Sequence, residues 1–453
     1  MEKGSINQNS LTSEIQKIVP EFLEATKNKE IQVVSHFDTD GITSAAIMVK
    51  ALSRMDKKFS LKIIKSIDKE FIDKLDKNKI TLFVDLASGS LEDIKEAGLE
   101  KAYIVDHHEV AQEIPESVSI VNPELFDQQK ISSSGLAYLF AKEMHEKNSD
   151  LAKLGILGMI GDCLEKEIGT LNNGILEDSG VQRKRGLLVY PSTRPLNRTL
   201  EFTSNPYIPS VSGDKQGTKD LLSEAGLNPE NGKYKSLIEL SEGEMRDLIT
   251  SIMLRKPQAN EEEIVGDIFL ITLYNQQEDA RELSAKINAC SRSGYSETAL
   301  LFCMEVPQAK KQVESIYSRY KQELIQSLKY VQDMEKIQGK GYVIINVEDQ
   351  VKDTMIGTIS SILSNSGAYE SGTIIASMAQ YEDDKGTKIK VSARNVGNTG
   401  RNVREVLTKI ANDLGINEVG GHEFAAGCIL EKEQENEFLE RLKKDLEIEQ
   451  VKV

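Results

Sequence analysis

Short apolar segments alternate with amphipathic stretches between residues 31 and 147, and this alternation constrains the fold more than any other feature of the sequence. A short apolar run is typical of a buried strand, whereas apolar residues at helical spacing are typical of a helix that covers the sheet. The pattern predicts strands over 31–35, 80–84 and 101–105, and helices over 41–55, 90–97 and 134–147. Strands and helices in alternation predict an α/β fold with a mostly parallel sheet, which we expect to end near residue 165.

The rest of the 453-residue chain predicts three further parts. After an N-terminal parallel-sheet domain over 1–165, we expect a helical and irregular middle insertion over 166–305, because turn-forming residues cluster near 190–209. Apolar side chains at helical spacing predict a long connector helix over 306–337. A second series of strand and helix patterns predicts a smaller C-terminal α/β domain over 338–453.

Acidic and histidine side chains directly follow the apolar segments. The groups are His36-Phe37-Asp38-Thr39-Asp40-Gly41 after the first predicted strand, Asp85 after the second, Asp106-His107-His108 after the third, and Gly161-Asp162 after the apolar run 156–160. Ligands of open α/β sheets bind in the crevice outside the carboxyl ends of the strands. Since at least three of the four groups stand where a strand ends, we expect the fold to bring them into one crevice.

Crowded carboxylates repel one another and are costly to bury unpaired, and a bound cation would resolve both problems. The alternation of His36, Asp38 and Asp40 favours two divalent metal ions about 3.5–4 Å apart. A mixed set of imidazole and carboxylate ligands fits Mn²⁺ best, with Mg²⁺ as the alternative. The competing interpretation is that each aspartate is the N-cap of the helix that follows it.

As a set, these motifs resemble those of the DHH phosphoesterase superfamily. Gly420-Gly421-His422, followed by Ala425-Ala426-Gly427, is similar to the Gly-Gly-His motif of the DHH-associated C-terminal domain. The layout resembles RecJ-like single-strand nucleases, and most closely their archaeal GINS-associated branch, to which residues 193–198 and 205–209 are also similar.

The resemblance implies a role for each candidate residue. His36 and Asp38 would hold one metal ion, Asp40, His107 and Asp162 the other, and Asp85 would bridge the two. Asp106 would orient a ligating imidazole, as carboxylates beside metal-bound histidines commonly do. His108 and His422 would face the scissile phosphate.

Two clusters of basic residues indicate a polyanionic substrate, although the chain carries a formal net charge of −16. Residues 183–198 include five basic and no acidic side chains, and residues 385–410 include seven basic side chains against Glu405. Basic side chains that track a nucleic-acid backbone need such local enrichment. The alternative is that these charges belong to an ordinary solvated surface.

Within the C-terminal region we expect substrate contacts at three further positions. Arg394 would bind phosphate, and Gly420 and Gly421 would let the loop that carries His422 approach it. The competing interpretation is that the two glycines form a turn and that His422 is packed in the core.

The leading hypothesis is a metal-dependent exonuclease that acts on single-stranded DNA or RNA in replication or repair. A small-substrate phosphoesterase, acting on nanoRNA or a nucleotide bisphosphate, is the first alternative, and a replisome scaffold is the second. The resemblance implies GINS and the replicative helicase as protein partners, beside single-stranded nucleic acid.

Other sequence features indicate the compartment. The sequence has no run of about 18 apolar residues, which a membrane span needs. Residues 1–7 are polar and lack the pattern of a secretory signal. The cysteines are far apart, which argues for reduced, buried thiols. We therefore expect a cytoplasmic protein that does not bind membranes.

Overall fold

The computed structural model describes residues 10–126, 129–203, 206–256, 261–383, 386–397, 399–416 and 419–447, apart from the side chain of Glu263. The chain divides into two compact units. The first comprises Met1–Leu196, Lys235–Met245 and Val265–Tyr317, and the second comprises Asn197–Tyr234, Arg246–Ile264 and Ser318–Val453. The middle segment thus contributes to both units, and the domain boundaries expected at residues 165, 305 and 337 stay predictions.

Strands and helices alternate along most of the chain. The strands are β1 (Ile31–His36), β2 (Phe59–Ile64), β3 (Ile80–Val84), β4 (Ala102–Val105), β5 (Val118–Val121), β6 (Gln182–Leu187), β7 (Val265–Leu273), β8 (Gln276–Asp279), β9 (Ile337–Gly339), β10 (Tyr342–Asn346), β11 (Ile374–Asp383), β12 (Gly386–Asn395), β13 (Val419–His422) and β14 (Ala425–Glu431). The helices are α1 (Leu11–Ala25), α2 (Thr39–Arg54), α3 (Lys69–Asp73), α4 (Leu91–Ala97), α5 (Ser133–Met144), α6 (Ala152–Gly161), α7 (Thr170–Ser179), α8 (Leu196–Glu201), α9 (Lys215–Glu224), α10 (Glu242–Arg255), α11 (Glu261–Ile264), α12 (Ala280–Arg292), α13 (Ser296–Cys303), α14 (Pro307–Asp333), α15 (Asp353–Asn365), α16 (Val403–Leu414) and α17 (Glu435–Glu447).

The first unit is built around a five-stranded parallel sheet in the order β2-β1-β3-β4-β5. Successive side chains of a strand point to opposite faces, so Val33 packs into the core formed with α1, α2, α5 and α6, whereas Val34 packs against α3 and α4. Because the strands run in the same direction, their carboxyl ends lie at one edge of the sheet. His36 ends β1 at that edge, and Asp85 and Asp106 directly follow β3 and β4.

A second, antiparallel sheet in the order β6-β7-β8 also belongs to the first unit, and the sequence pattern did not predict it. Strand β6 lacks apolar alternation, since it reads Gln-Arg-Lys-Arg-Gly-Leu. Its charges are accommodated by partners distant in sequence: Arg183 forms an ion pair with Asp267, and Lys184 Nζ donates to the Ile238 carbonyl oxygen at 2.7 Å. Helices α9, α10 and α12 account for the predicted helical character of the middle segment.

The second unit contains a six-stranded sheet in the order β13-β14-β12-β11-β10-β9. Strands β10 and β11 are parallel, and the other neighbours are antiparallel. Buried side chains of α16 and α17 pack against one face of this sheet. The predicted fold class, a parallel-sheet N-terminal domain, a helical middle, a long helix and a C-terminal α/β domain, is therefore confirmed. Of the described helices, none is both long and apolar enough to span a membrane.

Candidate metal centre

The segment between β1 and α2 makes a tight turn that brings candidate ligands together. Asp38 is the N-cap of α2, and its Oδ1 accepts a hydrogen bond from the Gly41 amide at 2.9 Å. The other oxygen, Oδ2, lies 3.1 Å from His36 Nδ1. A Cβ at position 41 would lie 2.2 Å from the His36 carbonyl oxygen. Only glycine therefore allows the chain to turn closely enough to bring His36 and Asp38 together.

Asp40 is held by the N-terminus of α5. Its side chain is buried, and its Oδ2 and Oδ1 accept hydrogen bonds from the amides of Ser133 at 2.7 Å and Ser134 at 2.9 Å. A helix N-terminus offers unpaired amide donors and the positive end of the helix dipole, so it stabilises a buried carboxylate. Gly158 of α6 leaves the necessary room, because a Cβ there would lie 1.9 Å from Ser134 Oγ and 2.3 Å from Asp40 Oδ1.

Asp85 follows β3 and is buried among other charged side chains. Its φ of +61° lies in the left-handed region, which aspartate adopts more readily than most residues. Oδ2 lies 3.4 Å from His36 Nδ1, and Oδ1 lies 3.8 Å from His107 Nε2. Neither oxygen has a hydrogen-bond partner among the described residues. Burial and the charges of Asp38 and Asp40 raise the pKa of Asp85 well above its usual range.

Asp106 orients the imidazole of His108. Its Oδ1 lies 2.7 Å from His108 Nδ1, and its Oδ2 accepts a hydrogen bond from the Ser88 amide at 3.1 Å. Burial would raise the pKa of Asp106, but the hydrogen bond and charge of His108 outweigh it and lower the pKa. Since Asp106 engages Nδ1, the Nε2 atom of the exposed His108 ring is left for another partner. The resemblance implied that Asp106 orients a metal-ligating imidazole and that His107 is the metal ligand of this motif. In the structure, the ring that Asp106 contacts is that of His108.

Asp162 enters the cluster from the end of a helix. The apolar run 156–160 belongs to α6, and Asp162 is the C-cap of that helix. Its Oδ2 lies 3.5 Å from His107 Nε2 and has no hydrogen-bond partner in the described part of the chain. Burial and the charge of Asp40 raise the pKa of Asp162 well above its usual range. The next residue, Cys163, is exposed, so the expectation of uniformly buried thiols is wrong at this position.

Three groups of these side chains could hold metal ions. The groups are His36, Asp38 and Asp85; Asp40, His107 and Asp162; and Asp85, His107 and His108, and within each group one ligand atom per residue lies within 4.8 Å of the others. The structure therefore gathers the six candidate metal ligands and adds His108 to them. His36 Nδ1, both Asp85 oxygens and Asp162 Oδ2 are buried without a hydrogen bond from the described residues. A divalent cation would coordinate these atoms and offset the repulsion between the carboxylates, so the donor set fits a metal.

The competing N-cap interpretation holds for Asp38 but fails for the other four aspartates of the cluster. The caps of α4 and α5 are Ser90 and Ser132, so Asp85 and Asp106 cap neither helix. Asp40 lies inside the first turn of α2, and Asp162 is the C-cap of α6, while Cys163 is the N-cap of the 3-10 helix that follows.

The candidate substrate-binding residues of the C-terminal region lie in the second unit. His422 is exposed at the end of β13, so its interpretation as a packed core residue is wrong. Gly421 has a φ of +111°, and a Cβ there would lie 2.2 Å from the Ala425 carbonyl oxygen, whereas a Cβ at Gly420 would meet nothing within 4 Å. The close pairing of β13 with β14 thus requires Gly421 whatever this strand binds. Arg394 lies half-buried on β12.

Many of the clustered basic side chains have acidic partners. Among the described residues these ion pairs include Arg183–Asp267, Arg194–Glu282, Arg198–Glu201, Lys388–Asp383 and Lys409–Asp445. Lys385, which belongs to the second cluster, lies outside the described residues. A count of basic residues along the sequence therefore overstates the positive charge that is available to a substrate.

Sequence reasoning missed the residues that support the ligands. Ser133 and Ser134 bind Asp40 through their amides, and Asn288 Oδ1 of α12 accepts a hydrogen bond from the Thr39 amide at 3.1 Å. The spacing Gly158-x-x-Gly161-Asp162 was a usable signal, because two glycines one helical turn apart indicate a close approach to a helix. The contact between Asn288 of α12 and Thr39 could not be predicted in this way, because the two residues are far apart in the sequence.

Comparison with known families agrees with this geometry. Residues 30–159 match the N-terminal domain of the DHH family, residues 190–264 match the DHH-CID domain, and residues 339–447 match the DHHA1 domain. The chain belongs to the DHH family. Its combination of a DHH domain with DHH-CID and DHHA1 domains is RecJ-like.

Two relatives extend the comparison in sequence. An uncharacterized protein of Methanocaldococcus jannaschii, MJ0831, is 30% identical over 448 residues, which cover 95% of this chain and 96% of the relative. The single-stranded-DNA-specific exonuclease RecJ of Haemophilus influenzae is 27% identical over 243 residues, which cover 45% of this chain and 41% of that protein.

Two solved structures share the fold over nearly the whole chain. RecJ from Thermus thermophilus in complex with Mn²⁺ has a TM-score of 0.60 at 18% identity, covering 96% of this chain and 54% of that one. CDC45 from Entamoeba histolytica has a TM-score of 0.64 at 12% identity, covering 96% of this chain and 99% of that one. This chain thus spans about half of the solved RecJ chain.

We expect Gly158→Ala to weaken metal binding, because the new methyl group would displace the Asp40 carboxylate. Disturbing the support of a ligand typically lowers metal affinity about 10–100-fold. The affinity for Mn²⁺ should be measured by titration of the purified variant. Gly174→Ala on α7 is the matched control, since a Cβ there meets nothing within 4 Å. Wild-type Mn²⁺ affinity in Gly158→Ala would show that Asp40 is not a ligand.

We expect Asp85→Asn to stabilise the metal-free protein while removing the stabilisation that added metal provides. The substitution relieves the repulsion at a buried carboxylate without a hydrogen-bond partner among the described residues, and asparagine tolerates positive φ. The expected rise in Tm is about 2–4 °C for each kcal/mol of relieved repulsion. Asp106→Asn, which disrupts satisfied hydrogen bonds, should lower the Tm instead. Equal losses of Tm in the two variants would contradict the repulsion argument.

Proposed function

We propose that this chain is a metal-dependent exonuclease that hydrolyses phosphodiester bonds of single-stranded DNA or RNA and acts in DNA replication or repair. The observation that carries the proposal is the cluster of candidate ligands at the carboxyl edge of the parallel sheet, several of whose buried atoms have no hydrogen bond from any described residue. Membership of the DHH family supports hydrolase chemistry, and the RecJ relative supports a single-stranded substrate.

The geometry suggests how the residues would divide the metal ions. His36 and Asp38 would hold one ion, and Asp40, His107 and Asp162 would hold the other. Asp85 would contact both ions. Its membership of one candidate group with His36 and Asp38 and of another with His107 supports this role. We propose Mn²⁺ as the resident ion and Mg²⁺ as the alternative. When bound, such ions lower the pKa of a water molecule and offset charge on the reacting phosphate.

We further propose that His108 contacts the scissile phosphate. Asp106 fixes its ring from the Nδ1 side, so Nε2 can face a substrate in one orientation. A donor held in advance needs no reorganisation when charge develops in the transition state, which makes it effective. In the second unit, His422, Arg394, Gly420 and Gly421 stay the proposed substrate contacts, supported by the exposure of His422.

Two alternatives are kept. A DHH phosphoesterase with a small substrate, such as nanoRNA or a nucleotide bisphosphate, would use the same cluster. A replisome scaffold is supported by the shared fold with CDC45, but the presence of all six candidate ligands favours an enzyme. GINS and the replicative helicase are proposed as partners on the sequence resemblance alone. A cytoplasmic location is proposed from the sequence features of the compartment described above.

Substrate length separates these functions. We expect hydrolysis of a single-stranded oligonucleotide with Mn²⁺ to exceed that of a dinucleotide by about tenfold or more in kcat/KM, because further phosphate contacts add binding energy. The rate of hydrolysis is measured by gel analysis of end-labelled DNA and RNA, both single- and double-stranded. Asp85→Asn is the inactive control. A preference for the dinucleotide or a bisphosphate would favour the small-substrate enzyme. Absence of any hydrolysis, together with binding to GINS or the replicative helicase, would favour the scaffold.

We expect His422→Ala to lower kcat by about 10²–10³, the usual effect of losing one transition-state donor. Because His422 is exposed, its removal should leave the Tm and the Mn²⁺ affinity at wild-type values. Steady-state kinetics and thermal unfolding measure both effects. A wild-type kcat in the variant would remove His422 from the mechanism. Glu423→Ala serves as the control for this turn, since Glu423 is the exposed neighbour of His422 and has no proposed role in substrate binding.

A further inference from the structure

Helix α12 lies outside the three segments that match family domains, yet it contacts the turn that carries the candidate ligands. The contact centres on Thr39, which stands between Asp38 and Asp40 and is buried. Asn288 Oδ1 accepts a hydrogen bond from the Thr39 amide at 3.1 Å. The Thr39 hydroxyl lies 3.1 Å from both the carbonyl oxygen and the Oγ of Ser284, one turn earlier on α12.

This amide needs a partner from outside its own helix. Thr39 is the first residue of α2, and the first amides of a helix have no acceptor within it. The N-cap Asp38 uses Oδ1 for the amide of Gly41, and its Oδ2 faces His36, so Asp38 does not serve the Thr39 amide. Asn288 supplies the missing acceptor and leaves the Asp38 carboxylate directed at the candidate metal position.

A third helix reaches the same residue. A Cβ at Gly161, the last residue of α6, would lie 2.8 Å from Thr39 Cβ, so α6 and α2 are in close contact there. Asp162 follows Gly161 directly. Thr39 of α2 therefore contacts both α6 and α12, and these contacts lie next to Asp38, Asp40 and Asp162 in the sequence.

We propose that Asn288 and Ser284 are positioning residues of the metal centre: they hold Thr39 so that Asp38, Asp40 and Asp162 face a divalent cation despite their mutual repulsion. The inference rests on the metal centre of the proposed function. It adds that metal affinity depends on a hydrogen bond from α12, a helix that supplies no ligand. Such a contact would keep the carboxylates from moving apart in the metal-free protein, in which no cation offsets their repulsion.

The test is the affinity of the full chain for Mn²⁺, measured by the electron paramagnetic resonance signal of the free ion. Asn288→Ala should weaken Mn²⁺ binding about 10–100-fold, as loss of a residue that orients a metal ligand commonly does. Asn148→Ala is the matched control, because Asn148 is a buried asparagine of the same unit whose side chain donates to the Ala141 carbonyl oxygen at 2.8 Å. It should lower the Tm without changing the affinity.

A second pair of variants covers the case in which Asn288→Ala does not fold. Thr39→Val removes the hydroxyl at nearly constant volume and should weaken Mn²⁺ binding, whereas Thr39→Ser keeps the hydroxyl and should restore it to within about twofold of wild type. Wild-type affinity in both Asn288→Ala and Thr39→Val, with a lowered Tm, would overturn the proposal and leave a packing role.

The outcome is separable from that of the proposed function. If the wild-type chain hydrolyses no single strand but the variants weaken Mn²⁺ binding as expected, the positioning role stands and the nuclease proposal falls. If hydrolysis occurs and the variants bind Mn²⁺ as the wild type does, the positioning role alone falls. A wild-type chain that binds no Mn²⁺ overturns both.

Discussion

Repulsion between carboxylates at the carboxyl edge of the parallel sheet is the constraint on which the rest of this site depends. Hydrogen bonds offset this repulsion at some of the carboxylates. Asp40 accepts hydrogen bonds from two amides at the N-terminus of α5, and Asp106 is hydrogen-bonded to the Ser88 amide and the His108 imidazole. Asp85 and Asp162 instead bring buried oxygens without a hydrogen bond from the described residues. The polypeptide thus holds Asp40 and Asp106 by hydrogen bonds and leaves, at Asp85 and Asp162, oxygens that a divalent cation could coordinate.

The parts of this arrangement that follow from local chemistry could be predicted from the sequence. Strands β1, β3 and β4 are short apolar runs, and their polar successors stand where a parallel sheet must place them. Asp162 was assigned to the cluster by its position after an apolar run, although that run is a helix. Its inclusion shows that the end of any buried element, helix or strand, can deliver a ligand to such an edge.

The parts that could not be predicted depend on contacts between residues distant in sequence. Strand β6 carries three consecutive basic residues, and two of them, Arg183 and Lys184, gain acceptors from β7 and from the segment near residue 238. Likewise, Arg194 and Lys409 gain acidic partners that no sequence window contains together. The demand for glycine at 158 arises from Ser134 and Asp40, which belong to other helices. Charge counts and turn preferences use only local sequence, so they do not predict such tertiary contacts.

The left-handed backbone of Asp85 has an evolutionary consequence. Aspartate, asparagine and glycine are the residues that accept this conformation most readily, so the codons that preserve the turn include ones that remove the charge. Substitution by asparagine at this position would therefore remove a candidate metal ligand while keeping the turn, and relief of the carboxylate repulsion would stabilise the substituted fold. A lineage that kept the architecture but no longer needed the chemistry would be expected to lose this charge early.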